Sequence, residues 1–235
     1  MNLLLFSNST NPGHTFLAHA GDAIRGILGK AVARALFVPF AGVGIAWDDY
    51  AARVRDRFAE LGYAIVSVHE VGDPRQAVQE AEAIVIGGGN TFHLTYWLYE
   101  SGIMDGVRER VQAGVPYIGW SAGSNVACPT LRTTNDMPII EPASFRTLGL
   151  VPFQINPHYT DFRQEGHGGE TRDDRIREFV IVNPTVPVIG LREGTWLRVE
   201  GGQISLAGTS PARIFRYGQD PYEVAPGDDI QFLLG

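Results

Sequence analysis

A chain of 235 residues with 44% hydrophobic and 19% charged residues is long enough for one large α/β domain with a sizeable core or for two small ones, and too apolar to be disordered. A net charge of -7 with a single lysine, Lys30, argues against nucleic acid as a partner, and no apolar run reaches the length that spans a bilayer. The lone cysteine, Cys128, has no partner for an internal disulfide, which fits a reducing cytoplasm, and residues 1–8 read as a first strand and not as a signal peptide.

In chain order, apolar runs rich in β-formers predict strands at 3–7, 35–39, 64–68, 83–86, 117–119, 153–155 and 188–191. Helical periodicity between them predicts helices at 15–28, 47–61, 74–81, 91–101, 103–113 and 171–182; in the second of these, Tyr50, Val54, Phe58 and Leu61 recur at helical spacing. After Trp196 the pattern changes to a hairpin around Gly201-Gly202, with further strands expected at 214–217 and 230–233 that extend an antiparallel edge. The alternation predicts one α/β domain over 1–235, a mostly parallel sheet with helices on both faces and an antiparallel edge at the C-terminus.

The run Val115-Pro116-Tyr117-Ile118 leads into Gly119-Trp120-Ser121-Ala122-Gly123, which is G-x-S-x-G at a strand-to-helix junction. Small residues on both sides of a serine allow a sharp turn that lifts its hydroxyl to the carboxyl edge of the sheet. The backbone N–H of Ala122 then faces the same space at the positive end of a helix. Serine before a helix also serves as a plain N-cap, but the strand and helix around Ser121 favour a nucleophile. A second oxyanion donor is available in Ile86-Gly87-Gly88-Gly89-Asn90-Thr91, where glycines after a buried strand leave the N–H of Gly88 or Gly89 open to a ligand. The G-x-G-x-x-G spacing of a dinucleotide loop fails there, and Gly29-Lys30-Ala31 lacks the Ser/Thr of a phosphate loop, so no cofactor is implied.

Of six histidines, His14, His19, His69 and His93 lie in or beside predicted elements elsewhere, and His167 sits in the glycine-rich Gly166-His167-Gly168-Gly169. His158 follows Pro157 just past a buried strand, which presents an imidazole rigidly at a strand's carboxyl end, where α/β sites gather. It is the favoured base. Two carboxylates suit the orienting acid: Asp136 in Thr133-Thr134-Asn135-Asp136-Met137-Pro138, and Glu193 in Leu191-Arg192-Glu193-Gly194. No H-E-x-x-H pattern or Cys/His cluster points to a metal, and Cys128, followed by Pro129, suits burial better than catalysis.

The order Ser, Asp, His is that of α/β-hydrolases, but the interval from Ser121 to Asp136 leaves barely one helix and no further parallel strand. A glycine loop on the strand before the nucleophile turn looks more like a class I glutamine amidotransferase arrangement. The chain resembles the S51 serine peptidase family, the family of α-aspartyl dipeptidases. The resemblance rests on Ser7-Asn8-Ser9-Thr10, Val38-Pro39-Phe40-Ala41-Gly42-Val43, Gly87-Gly88-Gly89-Asn90-Thr91-Phe92, Gly119-Trp120-Ser121-Ala122-Gly123, Arg132-Thr133-Thr134-Asn135-Asp136-Met137-Pro138, Asn156-Pro157-His158, Glu165-Gly166-His167 and Gly169-Glu170-Thr171-Arg172. It implies Ser121 as nucleophile, His158 as base, Asp136 as acid with Glu193 as rival, and Arg172 as the grip on the substrate's aspartyl side chain. Read from the residues alone, Arg172 opens a helix whose first turn is rich in acids, a structural role. The resemblance further implies a small Asp-Xaa peptide as substrate; the chain is expected in the cytoplasm, as a monomer or homodimer. Two departures stand out: Ser124, where alanine is expected and little effect follows, and Arg192, placed to draw Glu193 into a salt bridge.

Overall fold

A computed structural model describes residues 1–162, 166 and 168–235. Seven strands form the larger sheet: β1 Asn2–Phe6, β2 Arg34–Val38, β3 Ala64–Ser67, β4 Ile84–Ile86, β5 Tyr117–Trp120, β8 Thr195–Glu200 and β9 Gln203–Gly208. Their order is β3-β2-β4-β5-β1-β8-β9, parallel from β3 to β1 and antiparallel through the final hairpin.

Alternate side chains enter two separate cores, as the pleat requires. Leu3, Leu5, Leu36, Val38, Ile84 and Ile86 face one side, where Val78 of α3 (Pro74–Gln79), Leu94 and Leu98 of α4 (Thr91–Glu100) and Val107 and Val111 of α5 (Met104–Gln112) cover them. Leu4, Phe6, Phe37, Val85 and Trp120 face the other, under α1 (Gly21–Leu28) and α2 (Trp47–Leu61). Because both faces are covered, the central strand reads Ile84-Val85-Ile86 with no polar position. Helix starts follow local chemistry: the Asp73 carboxylate accepts from the N–H groups of Arg75 and Gln76, and the Asn90 side chain accepts from His93 N–H. Helix α2 spans the predicted residues and ends at Gly62 with φ 95°, a conformation that suits glycine.

The C-terminal third departs from expectation. Strands β6 (Gln154–Asn156) and β7 (Val188–Gly190) pair with each other, not with the larger sheet, and β10 (Ala212–Phe215) and β11 (Tyr222–Val224) join them in a second sheet of order β11-β10-β7-β6. Residues 230–233, expected as an edge strand, contain a single 3-10 turn at Gln231–Leu233 that buries Leu233. Ile155, Ile189 and Ile214 continue the first core, whereas Val188 and Phe215 pack under Ile176 and Val180 of α7 (Arg172–Val182). Helix α7 starts in a capping box between Thr171 and Asp174. No helix among the described residues is long and apolar enough to cross a membrane.

Candidate active site

In the larger sheet the register aligns Phe6 with Trp120 and Ile86 with Gly119, so β1, β4 and β5 end side by side. The chain leaves those three ends as Ser7-Asn8, Gly87-Gly88-Gly89 and Ser121, which brings the three segments together. Ser121 has φ 53° and ψ -112°, a region that a side chain strongly disfavours. The strain is held by bonds on every side: Ser121 N–H donates to Phe6 O at 3.0 Å, and Ser121 O accepts from Asn125 N–H at 2.9 Å in the one-turn helix α6 (Ala122–Asn125). The Tyr117 hydroxyl donates to Gly123 O at 2.6 Å beneath it. At Gly123 a Cβ would lie 2.2 Å from Ile86 O, so only glycine lets the helix sit against β4. Ser124 fills its site: the buried hydroxyl lies 2.7 Å from Phe6 O and 2.9 Å from Gly119 O, tying the turn to two strands.

The glycine loop lies against this turn. A Cβ on Gly88 would come within 3.0 Å of Ser121 Cβ, and one on Gly89, at φ 140°, within 2.1 Å of Ala41 O. The carbonyl of Gly88 accepts from the Tyr50 hydroxyl at 3.1 Å, and the Tyr50 hydroxyl oxygen in turn accepts from Trp120 Nε1–H at 2.9 Å. Because the trans peptide is planar, the Gly89 N–H points in the direction opposite to that carbonyl. Burial pushes the Tyr50 phenol up to about 12, so it stays a neutral donor.

In the second sheet Asn156 is level with Gly190, and the residues just past those two strand ends are His158 and Glu193. His158 also has a positive φ, 52°. Its Nε2 lies 2.9 Å from Ser121 Oγ and its Nδ1 2.8 Å from Glu193 Oε1. A carboxylate on Nδ1 selects the tautomer with that nitrogen protonated and leaves Nε2 as acceptor for the serine hydroxyl. The end of β1 stitches the two sheets together. The Ser7 hydroxyl donates to Leu191 O at 2.7 Å and accepts from His158 N–H at 2.9 Å, while Asn8 Oδ1 accepts from Gly194 N–H at 2.8 Å. The serine, imidazole and carboxylate thus stand in one hydrogen-bonded line, an arrangement able to deprotonate the serine and stabilise an imidazolium.

A family model for peptidase family S51 matches residues 3–207. The chain belongs to peptidase family S51. It is 53% identical to peptidase E of Streptomyces coelicolor over all of its length and 95% of that protein, and 48% identical to peptidase E of Nostoc over 99% and 96%. Peptidase E of Salmonella typhimurium is 47% identical over 97% of the chain and 99% of the relative. The fold is shared with a peptidase from an acI-B1 actinobacterium, at TM-score 0.71 and 18% identity over 97% of this chain and 95% of that one. A putative peptidase E from Listeria monocytogenes has TM-score 0.65 at 20% identity, over 89% and 98%. The chain is a serine-type peptidase.

Among the residues expected to serve the S51 site, Asp136 is the correction. It does not reach His158: its Oδ2 accepts from Thr91 N–H at 2.7 Å, Thr91 Oγ1 at 2.7 Å and Thr134 Oγ1 at 2.9 Å, and Glu193 occupies Nδ1. The reason is topological, since Asp136 belongs to the loop that leaves α6, whereas Glu193 leaves the strand paired with the one carrying His158. Arg192 does not pair with Glu193 either. It forks onto Glu223 at 2.7 and 3.0 Å and reaches Asp161 at 3.1 Å, over the Tyr159 ring, and thereby anchors the Glu193 loop to β11. Arg172 is half-buried, leans on Asn156 Oδ1 at 3.5 Å, and has no carboxylate partner among the described residues. Burial, with Arg175 nearby, holds its guanidinium below the usual arginine range.

A cavity of about 520 Å³ opens beside Ser121 and His158 and is lined also by Gly88, Gly89, Arg53 and Asp136; Arg172 stands outside that lining. Three other histidines are engaged elsewhere: His19 packs between Phe6 and Trp196, His93 bridges Phe40 O and Trp97 Nε1, and His69 contacts Ser67 and Asp48. Asp48, His69 and Glu70 offer atoms within 4.8 Å of one another, but Glu70 is paired with Arg55. His167 and Glu165 lie outside the described residues. Cys128 is fully buried, its thiol pushed up by burial and its sulfur accepting from Ile155 N–H. Ser7 and Asn8 gave no chemical signal in the sequence beyond their place in the family-like segment; their task appears only when two strand ends in different sheets meet.

Proposed function

We propose that this S51 peptidase hydrolyses dipeptides with N-terminal aspartate through an acyl-enzyme and releases free aspartate. The observation that carries the reading is the line Ser121 Oγ, His158 Nε2, His158 Nδ1, Glu193 Oε1, with spacings of 2.9 and 2.8 Å around a strained serine. Ser121 attacks the carbonyl carbon of the aspartyl residue while His158 Nε2 takes its proton and Glu193 stabilises the imidazolium. The N–H groups of Ala122 and of Gly88 or Gly89 receive the oxyanion. His158 then returns the proton to the leaving amine, and water, activated by the same imidazole, cleaves the ester. Arg172, a half-buried guanidinium with no carboxylate partner among the described residues, is the receptor for the aspartyl side chain. Its fork offers two parallel bonds to a carboxylate and none to a neutral side chain that lacks an acceptor.

The test compares aspartate release from Asp-Leu with cleavage of Asn-Leu and isoAsp-Leu by the protein and its Ser121→Ala variant. Selective turnover of Asp-Leu that the variant abolishes supports the reading. Absence of turnover on all three by the intact protein refutes it. An Arg172→Ala variant that keeps the preference for Asp-Leu over Asn-Leu would show that Arg172 does not select the aspartyl side chain.

A further inference from the structure

Asp136, released from the task of orienting His158, is the one carboxylate among the residues that line the cavity holding Ser121 and His158. Its two oxygens are used differently. Oδ2 is saturated by Thr91 N–H, Thr91 Oγ1 and Thr134 Oγ1, all within 2.9 Å. Oδ1 has no donor among the described residues. The loop carrying it is fastened from three sides: Asn90 Nδ2 donates to Met137 O at 2.9 Å, Asn135 Nδ2 to Pro157 O at 2.7 Å, and Asn156 Nδ2 to Asn135 Oδ1 at 2.7 Å. Two of those anchors belong to the strand end that presents His158, and the third caps α4 just after Gly88-Gly89. The carboxylate is therefore registered to both the base and the oxyanion loop.

A half-buried carboxylate with one oxygen fixed by three donors and the other open is built to receive a cation, and the smallest cation on a dipeptide is its amino terminus. The α-nitrogen is one bond from the Cα that bears the scissile carbonyl, so whatever binds it must sit close to the nucleophile, as this cavity wall does. We propose that Asp136 is the receptor for the substrate's free α-ammonium group and so confines cleavage to the first residue of a peptide. The proposal rests on the aspartyl-dipeptidase reading above and adds to it the source of the exopeptidase character. An N-blocked or internal residue would bring an amide in place of the ammonium and leave Asp136 facing no cation.

The test measures kcat/KM for Asp-Leu and for succinyl-Leu, which keeps the side-chain carboxylate and the scissile amide and lacks only the amine. A charge-assisted hydrogen bond of this kind corresponds to a preference of about 10- to 150-fold for Asp-Leu in the wild-type protein. In Asp136→Asn the carbonyl oxygen can still accept from Thr91 and Thr134 while an NH2 replaces the open oxygen, and the ratio is expected to fall toward one. The wild-type KM for Asp-Leu is also expected to rise as pH passes the α-amino range, about 7.7–8.0, with no such rise for succinyl-Leu. A wild-type ratio near one overturns the proposal whether or not the variant folds. So does an Asp136→Asn variant in which both substrates fall in proportion, the signature of a structural or relay role. Loss of Asp-Leu turnover in the wild-type protein itself sinks the dipeptidase reading and the ammonium site with it, whereas Asp-Leu turnover at a ratio of one sinks the ammonium site alone.

Discussion

Replacing Glu193 by Gln removes one charge from the line through His158 and keeps the side chain's shape. In the resting protein the two groups meet at 2.8 Å, which places their charge centres about 4 Å apart once His158 is protonated. Coulomb attraction at that distance is about 4 kcal/mol at the effective dielectric of a protein surface and about 1 kcal/mol in bulk water. The His158 and Glu193 side chains are 41% and 48% exposed, so the free protein lies toward the weaker limit. A substrate filling the cavity excludes part of that water, and about 2–3 kcal/mol is the resulting expectation for the transition state. That corresponds to a fall in kcat of about 30- to 150-fold. It is far smaller than the roughly 10⁴-fold penalty known for a buried orienting aspartate, because at Glu193 solvent shares the task. The assay is steady-state aspartate release from Asp-Leu at about pH 7.5, with KM expected to stay near the wild-type value. An unchanged kcat would show that the observed contact is idle. A loss approaching that of Ser121→Ala would show instead that turnover closes the pair off from water completely.

Three further outcomes concern the framework around that line. Ser7→Ala leaves His158 N–H without its acceptor, which is expected to cost about 1–3 kcal/mol of stability and to lower kcat while KM changes little; an unaltered kcat would refute the positioning role. Gly123→Ala would force a methyl to 2.2 Å from Ile86 O, so at least about 1–3 kcal/mol of destabilisation is expected, read as a melting temperature lower by several degrees; a variant as stable as wild type would contradict the packing of α6 on β4. For Glu223, burial opposes ionisation, but the bonds from Arg192 and Arg213 outweigh it and hold the carboxyl below its usual range. A lowered folded value means the stabilisation is complete above the unfolded pKa, about 4.3, and is lost as pH falls through the folded one. Glu223→Gln should therefore melt below wild type at neutral pH, by an amount near ~1 kcal/mol for so exposed a network, with the gap closing below about pH 4; a gap independent of pH would count against the assignment.

Legibility in the sequence varies along the chain. Helix α2 matches its predicted span because Tyr50, Val54, Phe58 and Leu61 recur on one stripe and Gly62 ends it. The tight turn at Ser121 is equally plain, since Gly119, Ser121 and Gly123 state a steric requirement in one pentapeptide. The expectation of 230–233 as a strand failed because a short apolar run does not reveal whether it will pair or simply plug a core, and Leu233 plugs one. Strands β6 and β7 were legible as strands but not as members of a second sheet, because partners as distant in sequence as Ile155 and Ile189 leave no local trace.

Local chemistry thus determined the serine, the histidine past its strand, the glycine loop and the alternation of strands and helices, since each depends on neighbours within a few residues. Which carboxylate meets His158 was not determined in this way. Asp136 and Glu193 are both loop carboxylates, and only the register of Asn156 with Gly190 carries Glu193 to His158 Nδ1, while the start of α4 holds Asp136 on the cavity wall. Contacts between distant segments depend on how two sheets dock, and that docking is fixed by the summed packing of the cores and not by any residue the eye can single out in a chain.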